Sequence, residues 1–188
     1  MKLLLFDRDI CDDALLPESV TLLTDSALLH PGNPLFVPDF APEFSIEIMP
    51  AITINRLGKT IPAKFAERYY ASLTFIARVV PIIEGAPLRH GNPTVTNFDN
   101  AIILGQSIPL ENLPQQFTVR CNDTEIPVDL TRCQFDRAIE LLSQNITLKI
   151  GDIIATSRLP LTIPATINTR VELTTQLQPT PLLKFRIK

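Results

Sequence analysis

Glycine is scarce in this chain. It occurs 6 times in 188 residues, roughly half its usual share. Glycine is the residue that lets backbone turn with positive φ or approach a ligand closely, so a glycine-poor chain has few places to build a phosphate loop or a tight catalytic turn. No G-x-G-x-x-G, P-loop or G-x-S-x-G pattern is present, which leaves dinucleotide, nucleotide and nucleophile-elbow chemistry without a local signature. Histidine is nearly absent too. His30 and His90 each sit beside Pro or Gly and read as loop residues, with no spacing that supports a Ser-His-Asp or Cys-His site. The 3 cysteines (Cys11, Cys121, Cys133) are odd in number and lack metal-type spacing, so reduced thiols in a cytoplasmic protein are expected. Long apolar runs are missing. MKLLLFD places too few apolar residues before Asp7 for a signal-peptide core, and no later run approaches a membrane span. A net charge of -3 offers nucleic acid and acidic lipid no electrostatic attraction.

What is abundant is proline, 17 residues and roughly twice the usual share, and short β-type runs. Segments 3–6, 34–38, 51–57, 74–83, 101–104, 117–121, 152–156, 171–177 and 182–187 are rich in branched or aromatic residues, and most are bounded by Pro, Gly, Asn or Asp. FTVRCNDTEIPVDL predicts a hairpin turning at Asn122-Asp123, with Pro127 on an edge strand or just past the pairing. Two helices are expected. In TIPAKFAERYYASL, Phe65, Ala66, Tyr69, Tyr70 and Leu73 form an apolar stripe, with Pro62 in the first turn and Thr60 as cap. In LTRCQFDRAIELLSQN the stripe is Phe135, Ala138, Ile139 and Leu142, and Thr131 with Gln134 makes a capping-box pattern. Segment 81–97 reads as an exposed loop. With no repeat and no clear linker, residues 1–188 are read as one domain. Asp7, Asp9, Asp12 and Asp13 are the densest acidic patch. They could hold Mg²⁺ or Ca²⁺, but they lack calcium-loop spacing and read better as a solvated turn. Glu43 and Glu47 read as solvated charges at a strand entry, with metal ligation as the alternative.

Several stretches, in order along essentially the whole chain, resemble the fumarylacetoacetate hydrolase family: TDSALL followed by PLFVPDF, INRLGKTIPAKFAERYY, NFDNAIILG, and TLKIGDIIAT, with MKLLLFDRD and LLKFRIK at the ends. The resemblance implies a mainly β (α+β) fold, a β roll of stacked sheets with a few outer helices, and a homodimer. In such enzymes an E-x-E pair and a later Asp hold Mg²⁺ or Mn²⁺, which stabilises the enolate or carbanion leaving a 2-oxo-acid substrate. A His serves as general base.

Position by position, that set is largely replaced in this sequence. The first Glu of E-x-E falls on Glu47 and the second on Met49, which cannot bind a hard cation. The third ligand falls on Ala77 or Arg78. The base position holds Asp13, the Lys position Thr96, and the T-G-T-P loop reads Thr156, Ser157, Arg158, Leu159. The expectation is therefore a catalytically silent relative with a binding, regulatory or structural role, holding no metal cofactor and pairing with itself or with an active paralogue. Two alternatives stand beside it. One is a Mg²⁺- or Mn²⁺-dependent hydrolase or lyase with a site rebuilt from Glu47 and Asp13, with Asp9 or Asp12 as a further carboxylate. The other is a metal-free binder of small dicarboxylates through Arg78 and Arg158.

Overall fold

The computed structural model describes residues 1–10, 19–29, 32–89 and 92–188. Asp12, Asp13, Cys11, His30 and His90 lie outside the described residues. Among the described residues fourteen strands follow one another: β1 (Lys2–Phe6), β2 (Val20–Thr24), β3 (Leu28–Leu29), β4 (Glu43–Thr53), β5 (Ser72–Ile83), β6 (Ala86–Pro87), β7 (Ile102–Leu104), β8 (Ile108–Pro109), β9 (Gln116–Cys121), β10 (Thr124–Asp129), β11 (Ile153–Ala155), β12 (Thr162–Pro164), β13 (Arg170–Thr175) and β14 (Gln178–Arg186). The same residues hold two α-helices, α1 (Pro93–Thr96) and α2 (Phe135–Asn145). The fold is mainly β with a small helical share. No described helix is long and apolar enough to cross a membrane.

Ten strands form one sheet in the order β2-β1-β11-β4-β5-β7-β3, with β12 beside β4 and with β6 and β8 beside β5. The remaining four form a second sheet, β10-β9-β13-β14. The long antiparallel pair β4–β5 is the spine of the larger sheet. It runs in register from Glu43 opposite Ile82 to Ile52 opposite Leu73. Side chains alternate between the two faces of a strand, and this alternation sorts the core. Ile46, Ile48, Ala77 and Val79 point into the main core, shared with α2 and the second sheet. Met49, Ala51 and Ile76 point the other way and meet Leu3, Leu5, Ile153 and Ala155 in a smaller second core. One alternation step beyond that second core, the same faces carry Asp7, Glu47 and Arg78.

The hairpin forms as expected. Asn122 takes positive φ at the turn, β9 and β10 pair from Cys121–Thr124 to Gln116–Asp129, and Pro127 lies on the outer strand of its sheet. The stripe of the second helix is buried as expected at Phe135, Ala138, Ile139 and Leu142.

Other expectations need correction. The first helix is a 3-10 segment, Ala63–Tyr69, because its ends are held by tertiary bonds. The Ala63 N–H donates to Glu140 Oε1, the Ile61 N–H to Ser143 Oγ, and Tyr70 Oη to Asp136. Glu140 thus does the capping expected of Thr60, which instead turns with positive φ. The second helix does not start at Thr131. A 3-10 turn, Leu130–Cys133, capped by the Asp129 carboxylate, gives way to α2 through Gln134 in the left-handed region. Segment 34–38 is not a strand. Only Leu35 bridges, to Ile187. Strand β4 begins well before the expected 51, and the described residues of 81–97 hold the end of β5, β6 and α1.

Candidate functional site

The polar end of the second core is built from three strands and one inward-turned connection. Arg78 and Glu47 are directly opposed residues of β5 and β4, so Arg78, and not Ala77, shares the face of Glu47. Ala77 faces Ile48 in the main core. Asp7 follows Leu3 and Leu5 at the period of a strand, and its N–H continues the pairing by donating to the Ser19 carbonyl at 3.1 Å.

Two linked ion-pair systems result. In the first, Arg78 Nη1 donates to Asp7 Oδ1 at 2.6 Å, and both side chains are 3 % exposed. Arg78 Nη2 donates to Thr21 Oγ1 at 3.2 Å and to the Arg89 carbonyl at 2.5 Å. The other Asp7 oxygen accepts from Thr21 Oγ1 at 2.7 Å and Ser19 Oγ at 3.1 Å. In the second, Glu47 is 2 % exposed and its Oε1 accepts from Arg89 Nε at 2.8 Å and Arg158 Nη1 at 2.9 Å, with Arg89 Nη2 in ion-pair contact at 2.5 Å. Its Oε2 is buried with no hydrogen-bond partner among the described residues.

Glu47 lines the floor of a cleft of about 370 Å³, together with Asp7, Arg8, Asp9, Ser157 and Arg158. The segment after β11 shapes one wall. The Leu159 N–H donates to the Ile48 carbonyl at 2.8 Å, which lays Arg158 over Glu47. Ser157 adopts φ 46, where the resembling pattern has glycine, and its Oγ donates to the Arg132 carbonyl at 3.0 Å and to Asp9 at 3.3 Å. Thr156 is buried behind it, its N–H bonded to the Pro50 carbonyl at 3.2 Å. Thr96 lies at the end of α1 and donates its hydroxyl to the Asn92 carbonyl at 3.3 Å.

A divalent cation does not fit this donor set. The ligand set that the resemblance implies would bring three carboxylates together on open space, and a hard cation needs several oxygen donors. Here one oxygen of Glu47 is already occupied by two guanidiniums, Met49 is buried in an apolar core, and a guanidinium stands opposite Glu47. Among the described residues no group of three His, Cys, Asp or Glu is placed to hold a metal ion. Cys133 is a poor nucleophile as well. Burial pushes the Cys133 thiol up to about 12, so it stays protonated at neutral pH.

Two of these roles run against the sequence reading. Glu47 is not a solvated edge charge and Asp7 is not part of a solvated turn, because the strand period carries both inward. Asp9 is exposed, as a turn residue would be. Arg89 was not singled out at all. It sits in the segment read as a loop, and nothing in its neighbourhood marks it as an ion-pair partner of Glu47.

No known protein-family pattern and no curated protein matches this chain by sequence. Its shape matches solved structures closely. A protein of Yersinia pestis assigned to the fumarylacetoacetate hydrolase family superposes with a TM-score of 0.78 at 15 % identity, over 100 % of this chain and 93 % of that one. The 5-carboxymethyl-2-hydroxymuconate delta-isomerase of Mycobacterium smegmatis gives 0.76 at 20 % identity, over 99 % and 78 %. The maleylpyruvate hydrolase of Sphingobium sp. SYK-6, solved with manganese(II) and pyruvate, gives 0.77 at 17 % identity, over 99 % and 69 %. The chain is thus a mainly β, α+β protein with two ion-pair systems at the polar end of its second core. Its fold is the fumarylacetoacetate hydrolase fold, shared with hydrolases and isomerases.

Proposed function

We propose that this chain is a catalytically silent representative of the fumarylacetoacetate hydrolase fold, with a binding, regulatory or structural role, in which buried guanidinium–carboxylate pairs replace the metal centre. The observation that carries this reading is the state of Glu47. The one carboxylate left from the resembling ligand set is bonded on Oε1 by Arg89 and Arg158. Across the strand pair stands Arg78, locked to Asp7. A dication entering here would have to displace three cations from a buried site, and repulsion at short range in a low-dielectric interior opposes this.

The test is a titration of Mg²⁺ and Mn²⁺ against the purified protein, followed by melting temperature and by acylpyruvate hydrolysis. Neither is expected to respond. A rise of several degrees at millimolar metal, or metal-dependent turnover, supports instead the rebuilt hydrolase or lyase with Glu47 and Asp13. The cytoplasmic homodimer, and pairing with an active paralogue, belong to this same proposal. Light scattering and co-purification test them.

A second reading is favoured by the cleft itself: metal-free binding of a small carboxylate. The Arg158 side chain lines the cleft and is 34 % exposed, and that of Arg89 is 26 % exposed. In this reading Arg158 is the anion contact. Arg78 supports the floor, since its donors are taken up by Asp7, Thr21 and the Arg89 carbonyl.

A further inference from the structure

We infer that a basic strip with two aliphatic tips, formed by segments 55–68 and 149–150, docks on an anionic membrane surface. It shares no residue with the lining of the cleft above Glu47, so the inference stands apart from any reading of that cleft.

Backbone pairing makes the strip continuous. The Gly58 N–H donates to the Leu148 carbonyl at 3.0 Å, and the Leu148 N–H returns to the Gly58 carbonyl at 2.8 Å, which lays the turn at 55–58 against 148–150. The Asn55 N–H donates to the Tyr69 carbonyl at 2.9 Å and ties the same turn to the 3-10 segment Ala63–Tyr69.

Charge on the strip is one-sided. Arg56, Lys59, Lys64, Arg68 and Lys149 are all exposed. None of them forms an ion pair among the described residues, whereas Lys2, Arg137 and Lys184 elsewhere do. Glu67 is the one carboxylate within these segments. The net charge of -3 averages over the whole chain. A charged surface acts only within about a Debye length, so the strip and not the average sets the attraction.

The apolar groups choose among anionic partners. Arg56 Cζ lies 5.9 Å from the centroid of the Tyr69 ring, and Lys64 Nζ and Arg68 Cζ lie 5.0 and 4.9 Å from that of Phe65. These contacts occupy ring faces that nucleic-acid bases would need for stacking. Leu57 is 62 % exposed and Ile150 71 %, and each follows a cation of the strip, Arg56 and Lys149. They project, where an acidic peptide would look for a groove to seat its own apolar anchors. A lipid interface takes both features together, headgroups against the cations and the acyl boundary against the aliphatic tips.

The experiment is sedimentation of the full chain with vesicles of phosphatidylcholine alone or mixed with phosphatidylserine, at low and high salt. Binding to the mixed vesicles should exceed binding to the neutral ones by about tenfold or more, and should fall as salt rises. The chain has no tryptophan, so Leu57→Trp is a lone reporter whose emission should move to the blue on the mixed vesicles. Lys59→Glu with Lys149→Glu cancels the excess charge and should lower binding by about tenfold or more, with the melting temperature nearly unchanged. Arg170→Glu with Lys188→Glu makes the same change in net charge at exposed positions elsewhere and should leave binding intact. Equal binding to neutral vesicles, equal loss in the second pair, an unshifted emission or no sedimentation with either vesicle overturns the inference. Binding of polyglutamate or duplex DNA in place of vesicles overturns it in favour of that polymer.

Discussion

Glu47 and Arg78 stand directly opposite each other across β4 and β5, yet each finds its ion-pair partner elsewhere. Arg78 is joined to Asp7, and Glu47 to Arg89 and Arg158. Adjacent opposite charges in a buried layer stabilise each other through the shared field, while the hydrogen bonds that satisfy them come from four different parts of the chain.

Removing one member of the inner pair should therefore be costly. Arg78→Leu leaves the Asp7 carboxylate buried beside two hydroxyls and no cation, and should lower stability by about 3–5 kcal/mol in urea unfolding. Asp7→Leu with Arg78→Leu removes both charges and should recover much of that loss. If the double variant is no more stable than the worse single variant, the pair is not the coupled unit described here.

Restoring the missing family-like residues should not restore chemistry. Met49→Glu combined with Ser157→Gly returns one carboxylate and one glycine, but Arg78 still fills the space opposite Glu47, and the new carboxylate enters an apolar core. The variant should be destabilised by several kcal/mol, roughly the cost of an unpaired buried charge, and should show no Mn²⁺-dependent acylpyruvate hydrolysis. Detectable turnover would contradict this account of the site.

Gly105 ends the NFDNAIILG run where the two sheets meet. Its N–H donates to the Phe75 carbonyl at 2.8 Å, and a Cβ there would run into the Leu182 carbonyl and, at 2.7 Å, the Phe75 carbonyl. Backbone rather than a flexible side chain would have to move, so Gly105→Ala should cost about 1–3 kcal/mol or more. The melting temperature reports it directly.

Ser157 holds a left-handed backbone without glycine, a conformation that costs an L-residue about 1–2 kcal/mol. Its hydroxyl offsets part of this through Arg132 and Asp9. Ser157→Gly relieves the strain but loses those bonds, and should change stability by less than about 1 kcal/mol. Ser157→Val keeps the strain, loses the bonds and should be clearly destabilising in the same unfolding assay.

Acid should weaken the N-terminal strand. The Asp152 carboxylate is fully buried. Burial raises its pKa, but the Lys2 side chain and the N–H groups of Lys149 and Lys2 outweigh that, so the net shift is downward. With the folded pKa below the unfolded one, its stabilisation is complete above the ordinary carboxylate range and is lost as pH falls through the folded value. Asp152→Asn should lower stability at neutral pH and flatten the acid limb of the stability–pH curve. An unchanged acid limb would remove Asp152 from its cause.

Part of this was legible residue by residue. Alternation sorts the faces of β1 and β4, because side chains of a strand repeat every second residue, but it puts Asp7 and Glu47 inward only once β4 is known to start at Glu43 and the β1 pairing to run on to Asp7. The turn at Asn122-Asp123, the edge position of Pro127 and the buried stripe of α2 follow from equally local rules. Once the resemblance is granted, side-chain chemistry alone says that Met49 and either Ala77 or Arg78 offer no oxygen to a hard cation. What tertiary structure decided is who pairs with whom. Asp7 meets Arg78 across a separation of 71 residues, and Arg89 reaches Glu47 across 42, because the sheet order and the β4–β5 register bring them together. The same holds for the 3-10 form of Ala63–Tyr69, whose cap is Glu140 of α2. Ion-pair choice and distant capping depend on three-dimensional proximity and low-dielectric burial, and neither leaves a periodic trace along the chain.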